Sequence, residues 1–223
     1  MDKSLRLSLN AAQIKILAAI CMLIDHVGLS LYPDILVFRA IGRLAFPIVC
    51  FFLVEGALHT SNIRKYELRM LIFAIISEIP FDLGLYHRAF LFTGQNVIWT
   101  LLISLVMLDI LEHTKNPFIR VLSCAFLVLL AQYAMTDYGG MGVILVLGLY
   151  FFKDYPLWRY VFMALYFVYY AIDIWQPEIF GLISAVFIFL YNGEKGNTPK
   201  YGFYVFYPAH LLVIFAVWFL FFR

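Results

Sequence analysis

Apolar residues run through this chain in long blocks. They show neither the three-to-four-residue stripe of a water-facing helix nor the alternation of a half-buried strand. A helix crossing a bilayer needs about 20 such residues, and somewhat fewer inside a bundle. Blocks of this kind occupy residues 12–31, 38–58, 66–85, 96–113, 118–135, 140–152, 157–174, 178–191 and 203–222. The sixth and eighth are short enough that one could be re-entrant. Breakers fall between blocks, at Pro33, Pro117, Pro156, Pro177 and the Gly193–Gly196 stretch. The first block has no distinct small-residue cleavage site, so it is expected to stay as the first helix. No internal repeat or low-complexity tract is visible, and residues 1–223 read as a single domain. The expected fold is all-α, a polytopic transmembrane bundle of about nine helices, within a range of eight to ten.

Composition removes the soluble alternative. Of the 223 residues 64% are hydrophobic and 13% charged, with a mean hydropathy of +0.90. Soluble domains hold about 45–50% and about 25%. The 23 Phe and 15 Tyr suit lipid-facing and interfacial surface. Cys21, Cys50 and Cys124 lie inside apolar blocks without metal or disulfide spacing and read as small buried hydrophobes. The net charge of +2 gives no reason to expect a nucleic-acid partner, and no metal is expected.

Basic residues orient the chain. Lys3, Arg6, Arg64, Lys65, Arg69, Lys115, Arg120, Lys153, Arg159, Lys195 and Lys200 fall on one side of the expected alternation, and Arg88 and Arg223 on the other. Eleven against two puts the N-terminus in the cytoplasm and, with nine crossings, the C-terminus outside.

Polar residues inside the blocks point to a site. A charge at mid-bilayer costs about 2.5–3.5 kcal/mol on insertion scales, so such residues face cavities and carry function. Lys15, Asp25 and His26 lie on the first block, Arg39, Arg43 and Glu55 on the second, and Arg69 and Glu78 on the third. Gln95 and Asn96 open the fourth, and His210 lies in the ninth. Lys15 and His26 share nearly one helical face, about 16 Å apart along the axis. Asp25 points about 100° away from His26, so its expected partner is a cation on a neighbouring helix, Arg43 first. Glu55 pairs by spacing with His59, and Pro80 is expected to kink the helix beside Glu78. His210, after Tyr207-Pro208-Ala209, either serves the site or only bonds a kink. Asp137, before Tyr138-Gly-Gly-Met-Gly142, caps or lines the outer end of the sixth helix. A structural ion-pair network of Asp25, Arg43, Glu55 and Glu78 is the plainer reading of those charges.

The motifs carry a resemblance. Lys15 running to Asp25-His26-Val-Gly28, Arg39-Ala-Ile-Gly-Arg43-Leu-Ala-Phe-Pro47 and Glu55-Gly-Ala-Leu-His59-Thr resemble the TraX family. So do Lys65-Tyr-Glu-Leu-Arg69, Ser77-Glu78-Ile-Pro-Phe81, Asp137-Tyr-Gly-Gly-Met-Gly142 and Phe206-Tyr-Pro-Ala-His210-Leu. That family is named for an enzyme associated with N-acetylation of conjugative pilin. It is similar to the wider group of transmembrane acyltransferases, which includes acyltransferase-3 proteins and the lysosomal heparan-glucosaminide acetyltransferase.

The resemblance implies an acyltransferase in the bacterial cytoplasmic membrane, multi-pass in the lipid bilayer, using cytoplasmic acetyl-CoA or another acyl-CoA. Its acceptor would be an amine or hydroxyl on a pilin-like peptide, glycan or lipid. His26 would be the catalytic base with Asp25 beside it, and Lys15 a cytoplasmic-side ligand of acyl-CoA. Arg64, Lys65 and Arg69 become the candidates for the donor's phosphates. Arg43, Glu55, Glu78, Asn96 and His210 complete the expected substrate site, with Asp25, Arg43 or Asn96 positioning the acceptor or stabilising the oxyanion. A homo-oligomer is left open. The rival readings are a transporter or flippase relaying protons through Asp25, Glu55, Glu78 and His26, and a non-catalytic scaffold.

Overall fold

The computed structural model describes residues 8–91, 94–197, 199 and 201–223. Among them all regular structure is helical, with only two isolated bridges, Leu9 to Tyr191 and Gln95 to Thr136. The helices are α1 (Ala11–Leu31), α2 (Leu36–Gly42), α3 (Ala45–His59), α4 (Ile63–Tyr86), α5 (Val97–His113) and α6 (Pro117–Tyr133). They continue with α7 (Gly139–Phe151), α8 (Pro156–Asp173), a 3-10 segment (Gln176–Ile183) running into α9 (Ser184–Phe189), and α10 (Gly202–Phe221). With α2–α3 and the 3-10–α9 pair each counted once, the described residues hold nine elements, matching the apolar blocks to within three residues at most ends. Lys3, Arg6 and Lys200 lie outside the described residues.

The starts follow the caps. The side-chain oxygens of Asn10, Asn62, Asn96 and Asn116 each accept from a backbone N–H of the first turn, satisfying a donor the helix itself cannot. The Asn62 cap starts α4 three residues before the expected boundary. The second block is broken instead of continuous. Pro47 has no N–H, and its ring would clash with the carbonyl four residues back, that of Arg43. The helix therefore stops at Gly42 and resumes at Ala45, leaving Arg43 at the corner.

The eighth block is short because part of it is stretched. A 3-10 turn rises about 2.0 Å per residue against about 1.5 Å in an α-helix. Gln176–Phe189 thus spans about 25 Å with 14 residues.

End-to-end ties sort the termini of these elements into two groups. Arg64 at the start of α4 meets Asp109 near the end of α5 at 2.9 Å, and Tyr150 at the end of α7 donates to Glu112 of α5 at 2.6 Å. At the opposite end, Ser30 of α1 meets His87 after α4 at 3.0 Å, and the His87 ring stacks on Trp218 of α10 at 3.8 Å. α4 therefore runs antiparallel to α5, while α1, α4 and α10 end on one side and α5 and α7 on the other.

Among the described residues three elements are long and apolar enough to cross a membrane by themselves: Ala11–Leu31, Leu36–His59 and Gly202–Phe221. Leu36–His59 is the central one, with 61% of its most apolar stretch buried, against 28% for Gly202–Phe221. On the outside, α6 buries only Leu127 and Ala131 and turns Phe118, Val121 and Phe126 outward. A surface this apolar is covered by lipid in a membrane protein.

Candidate functional site

One cavity of about 690 Å³ runs between α1, α3, α4, α5 and α10, within the range of small-molecule sites. Its two ends differ in chemistry. Lys15, Lys195, Tyr66, Tyr204 and Phe203 line one end; Asp25, His26, Arg39, Arg43, Asp137 and Tyr138 line the other. Val49, Phe52, Met70, Ile98 and Leu101 form much of the wall between. The Lys15-to-His26 stripe of α1 forms one side along about 16 Å.

At the second end, Asp25 is clamped by two cations from the broken helix. Arg39 Nη1 lies 2.8 Å and Arg43 Nη2 2.6 Å from Asp25 Oδ2. Arg43 Nη1 reaches Glu178 of the 3-10 segment at 2.7 Å, and its Nε donates to the Arg39 carbonyl at 3.2 Å. Arg39 and Arg43 both lie 5.2 Å from the Trp175 ring centre. The helical phase places Asp25 towards the neighbouring helix, and the break at Pro47 supplies the arginine there. Gly42 makes this approach feasible, because a Cβ on it would overlap the Asp25 carboxylate.

His26 does not contact Asp25 through a hydrogen bond. Its Nδ1 lies 2.7 Å from Nε2 of His210 on α10, and His210 Nδ1 lies 2.8 Å from the Phe206 carbonyl. The carbonyl only accepts, so His210 carries its proton on Nδ1 and offers Nε2 as acceptor when neutral. His26 must then donate from Nδ1, leaving Nε2 with a free lone pair. Only His26 of the two lines the cavity, and both are buried. The Phe206 ring stacks on His210 at 4.6 Å and helps hold its plane.

Asp137 stands in the turn before α7. It lines the cavity, and the nearby cations Arg39 and Arg43 are already held by Asp25 and Glu178. Burial pushes its carboxyl up to about 6 against the opposing pull of Arg43, with Asp25 adding to the rise. The Thr100 hydroxyl donates to its carbonyl oxygen, and Tyr138, in the left-handed region at φ 63°, stacks on Phe46 at 3.7 Å.

Several expected site residues lie elsewhere. Glu78 and Asn96 bond each other, Asn96 Nδ2 donating to Glu78 Oε1 at 2.5 Å while Trp99 Nε1 donates to the same oxygen at 2.6 Å. They lock α4 to α5 and do not line the cavity. α4 runs unbroken through Pro80. Glu55 is also outside the lining, and His59 bonds its backbone carbonyl, not its carboxylate. Arg64 is 76% exposed and pairs with Glu67 and Asp109; Lys65 is exposed at the Asn62 cap. Neither lines the cavity. Arg69 stands behind that end, 5.4 Å from the Tyr66 ring centre and within hydrogen-bonding reach of Tyr204. Sequence reasoning missed Glu178 and the cavity role of Lys195. One stood beside Pro177 like a helix-start acid, and the other in a loop like any solvated cation.

A sequence model described as "TraX protein" matches residues 10–218. The chain is 31% identical over 244 aligned residues to a protein of Dichelobacter nodosus named "Probable fimbrial assembly protein FimC, serogroup H1", covering 95% of this chain and 96% of that one. A 66-residue stretch is 42% identical to "Uncharacterized protein RP591" of Rickettsia prowazekii (strain Madrid E), covering 30% of this chain and 25% of that one. No solved structure matches the chain.

Proposed function

The chain belongs to the TraX family, and on that premise we propose that it is a multi-pass acyltransferase of the bacterial cytoplasmic membrane. It takes an acyl group, acetyl in the first instance, from cytoplasmic acyl-CoA and transfers it to an amine or hydroxyl at the far side of the bilayer. The N-terminus is cytoplasmic and all nine elements cross. The acceptor belongs to surface-fibre assembly or to another envelope component; the first is supported by the name of the fimbrial assembly relative.

The observation that carries this reading is the His26–His210–Phe206 relay, which leaves a bare imidazole nitrogen facing a cavity with lysines at its other end. An acyl-CoA fits that polarity, with phosphates towards Lys15 and thioester towards His26. His26 Nε2 takes the acceptor's proton as the acceptor attacks the thioester carbonyl, and returns it to the departing thiolate. Arg39 is the better oxyanion donor, since Arg43 already commits three donors to Asp25, Glu178 and the Arg39 carbonyl. Asp25 then acts on the arginines and not on the base.

The test is purified protein in bilayer nanodiscs with labelled acetyl-CoA and amine or hydroxyl acceptors. CoA release and label transfer are expected, and His26→Ala should lower turnover by about 10²–10⁴-fold while CoA still binds. Neither CoA binding nor transfer, together with proton-coupled solute uptake in proteoliposomes, would overturn the reading in favour of a transporter. For the topology, Arg88→Cys and Asp154→Cys in a Cys124→Ser background should label from opposite sides of the membrane. Labelling from one side would refute the alternation.

A further inference from the structure

At the end of the cavity opposite His26, where the acyl-CoA reading already places Lys15, the structure adds a second cation that this reading leaves unassigned. Two ammonium groups converge there from separate parts of the chain, Lys15 from α1 and Lys195 from the connection between α9 and α10. They are close enough to act on each other electrostatically. Neither forms an ion pair among the described residues. The nearest acid in sequence, Glu194, accepts from Asn192 Nδ2 at 3.2 Å. Lys15 instead rests over the Phe52 ring at 4.8 Å, and the remaining walls are Tyr66, Tyr204 and Phe203, neutral groups of which two carry phenol hydroxyls.

Lys195 is not there by accident of a loose loop. Leu9 donates to the Leu190 carbonyl at 2.8 Å, Ala11 to Glu194 at 2.8 Å, Ala12 to Lys195 at 3.1 Å, and Asn192 back to Leu9 at 3.0 Å. The connection therefore supplies acceptors for the first N–H groups of α1, which have no partner within their own helix. Gly196, at φ 66°, packs where a Cβ would run into Asn10 and Ala12. The same backbone pairing that starts α1 fixes Lys195 beside the Lys15 end of the cavity. Two like charges held together without a counter-ion favour an anion between them, and phosphate oxygens are the strongest common acceptors for such charge-assisted bonds.

We propose that Lys15 and Lys195 form a phosphate-binding site, with the 190–196 connection acting as the clamp that holds the second cation in place. The site rests on the acyl-CoA reading for its role but not for its chemistry. A nucleotide diphosphate and a phospholipid headgroup would both present the required oxygens. Of the sequence candidates for this task, Arg64 and Lys65 are exposed and do not line the cavity, and Arg69 stands behind it beside Tyr66 and Tyr204.

The experiment measures binding to the full chain in uncharged detergent at constant ionic strength, by calorimetry and thermal shift. The probes are inorganic pyrophosphate, CoA and a short-chain phosphatidylglycerol. Saturable binding of at least one is expected, weakened tenfold or more in Lys195→Gln and largely restored in Lys195→Arg. Lys195 is exposed, so the unliganded variant should melt as the parent does. CoA or pyrophosphate binding marks a nucleotide donor, and phosphatidylglycerol alone marks a lipid; both support the site. No binding of any probe, or equal affinity in Lys195→Gln, overturns it. Acyl transfer is read separately. Turnover with an unchanged KM in Lys195→Gln would sink the clamp and leave the acyltransferase standing. Lysine-dependent pyrophosphate binding without any transfer would do the reverse.

Discussion

Replacing Arg43 by glutamine tests whether the charged end of the cavity is one cooperative network. The substitution removes the 2.7 Å pair to Glu178 and the 2.6 Å pair to Asp25. The two carboxylates are not stranded equally. Asp25 keeps Arg39 at 2.8 Å, whereas Glu178, only 4% exposed, keeps no cation among the described residues. Breaking a buried pair costs about 3–5 kcal/mol because the surviving charge is left uncompensated. With Asp25 spared, the lower end, about 3 kcal/mol, is expected. On the scale for chains of this length, about 2–4 °C per kcal/mol, the Tm should fall by about 6–12 °C.

The assay is thermal unfolding by tryptophan fluorescence in detergent, run as a cycle with Glu178→Gln and the double variant. In the Glu178→Gln background no charge is stranded, so Arg43→Gln should cost markedly less there. A coupling below about 0.5 kcal/mol would mean the two sites act independently and would refute the network.

Three further outcomes follow from single contacts. Asp137 holds its proton in the folded protein up to about pH 6, above its ordinary 3.8, so folding binds a proton that the unfolded chain releases. Stability relative to Asp137→Asn should therefore decline as pH rises from about 4 to about 6 and level off above, read as Tm differences across that range. Gly84→Ala puts a Cβ 2.8 Å from the Leu211 backbone oxygen, forcing α4 from α10 at about 1–3 kcal/mol, while Gly94→Ala, with nothing within 4 Å, should be neutral. His210→Ala should lower turnover at least about tenfold. His210→Gln, whose amide oxygen can accept from His26 Nδ1, should retain more activity and the parental pH profile; equal loss in both would remove His210 as the tautomer-setting partner.

What could be read from residue order alone was whatever depends on near neighbours. Block lengths located the nine elements because lipid and core demand the same apolar runs. Helical phase sent Asp25 away from His26, whereas the break before Pro47 went unread because the apolar block runs on through it. The Lys15–His26 stripe proved to be one cavity wall because 11 residues is close to three whole turns. Long-range pairing was illegible. Glu55 and Glu78 looked like intramembrane acids awaiting a substrate, yet Glu78 is occupied by Asn96 and Trp99. Arg64 and Lys65 looked like a basic mouth, but both are exposed in the first turn of α4 and neither lines the cavity. Glu178 and Lys195 reach the site only because the packing of a 3-10 segment and the backbone pairing at the start of α1 bring them there, and neither leaves a periodic signal.

The sequence separations within the site set an order of assembly during synthesis. Asp25 meets Arg43 across 18 residues, so the first hairpin can enter the membrane with its carboxylate already paired, one arginine charge staying in excess until Glu178 arrives. Glu178 lies 135 residues from Arg43, and His210 lies 184 residues from His26. The imidazole relay therefore cannot exist on a nascent chain until the last helix has left the ribosome and docked against α1 and α4. Until then the cavity lacks one wall and His26 lacks its partner on α10, so the site is closed only when the last helix is in place.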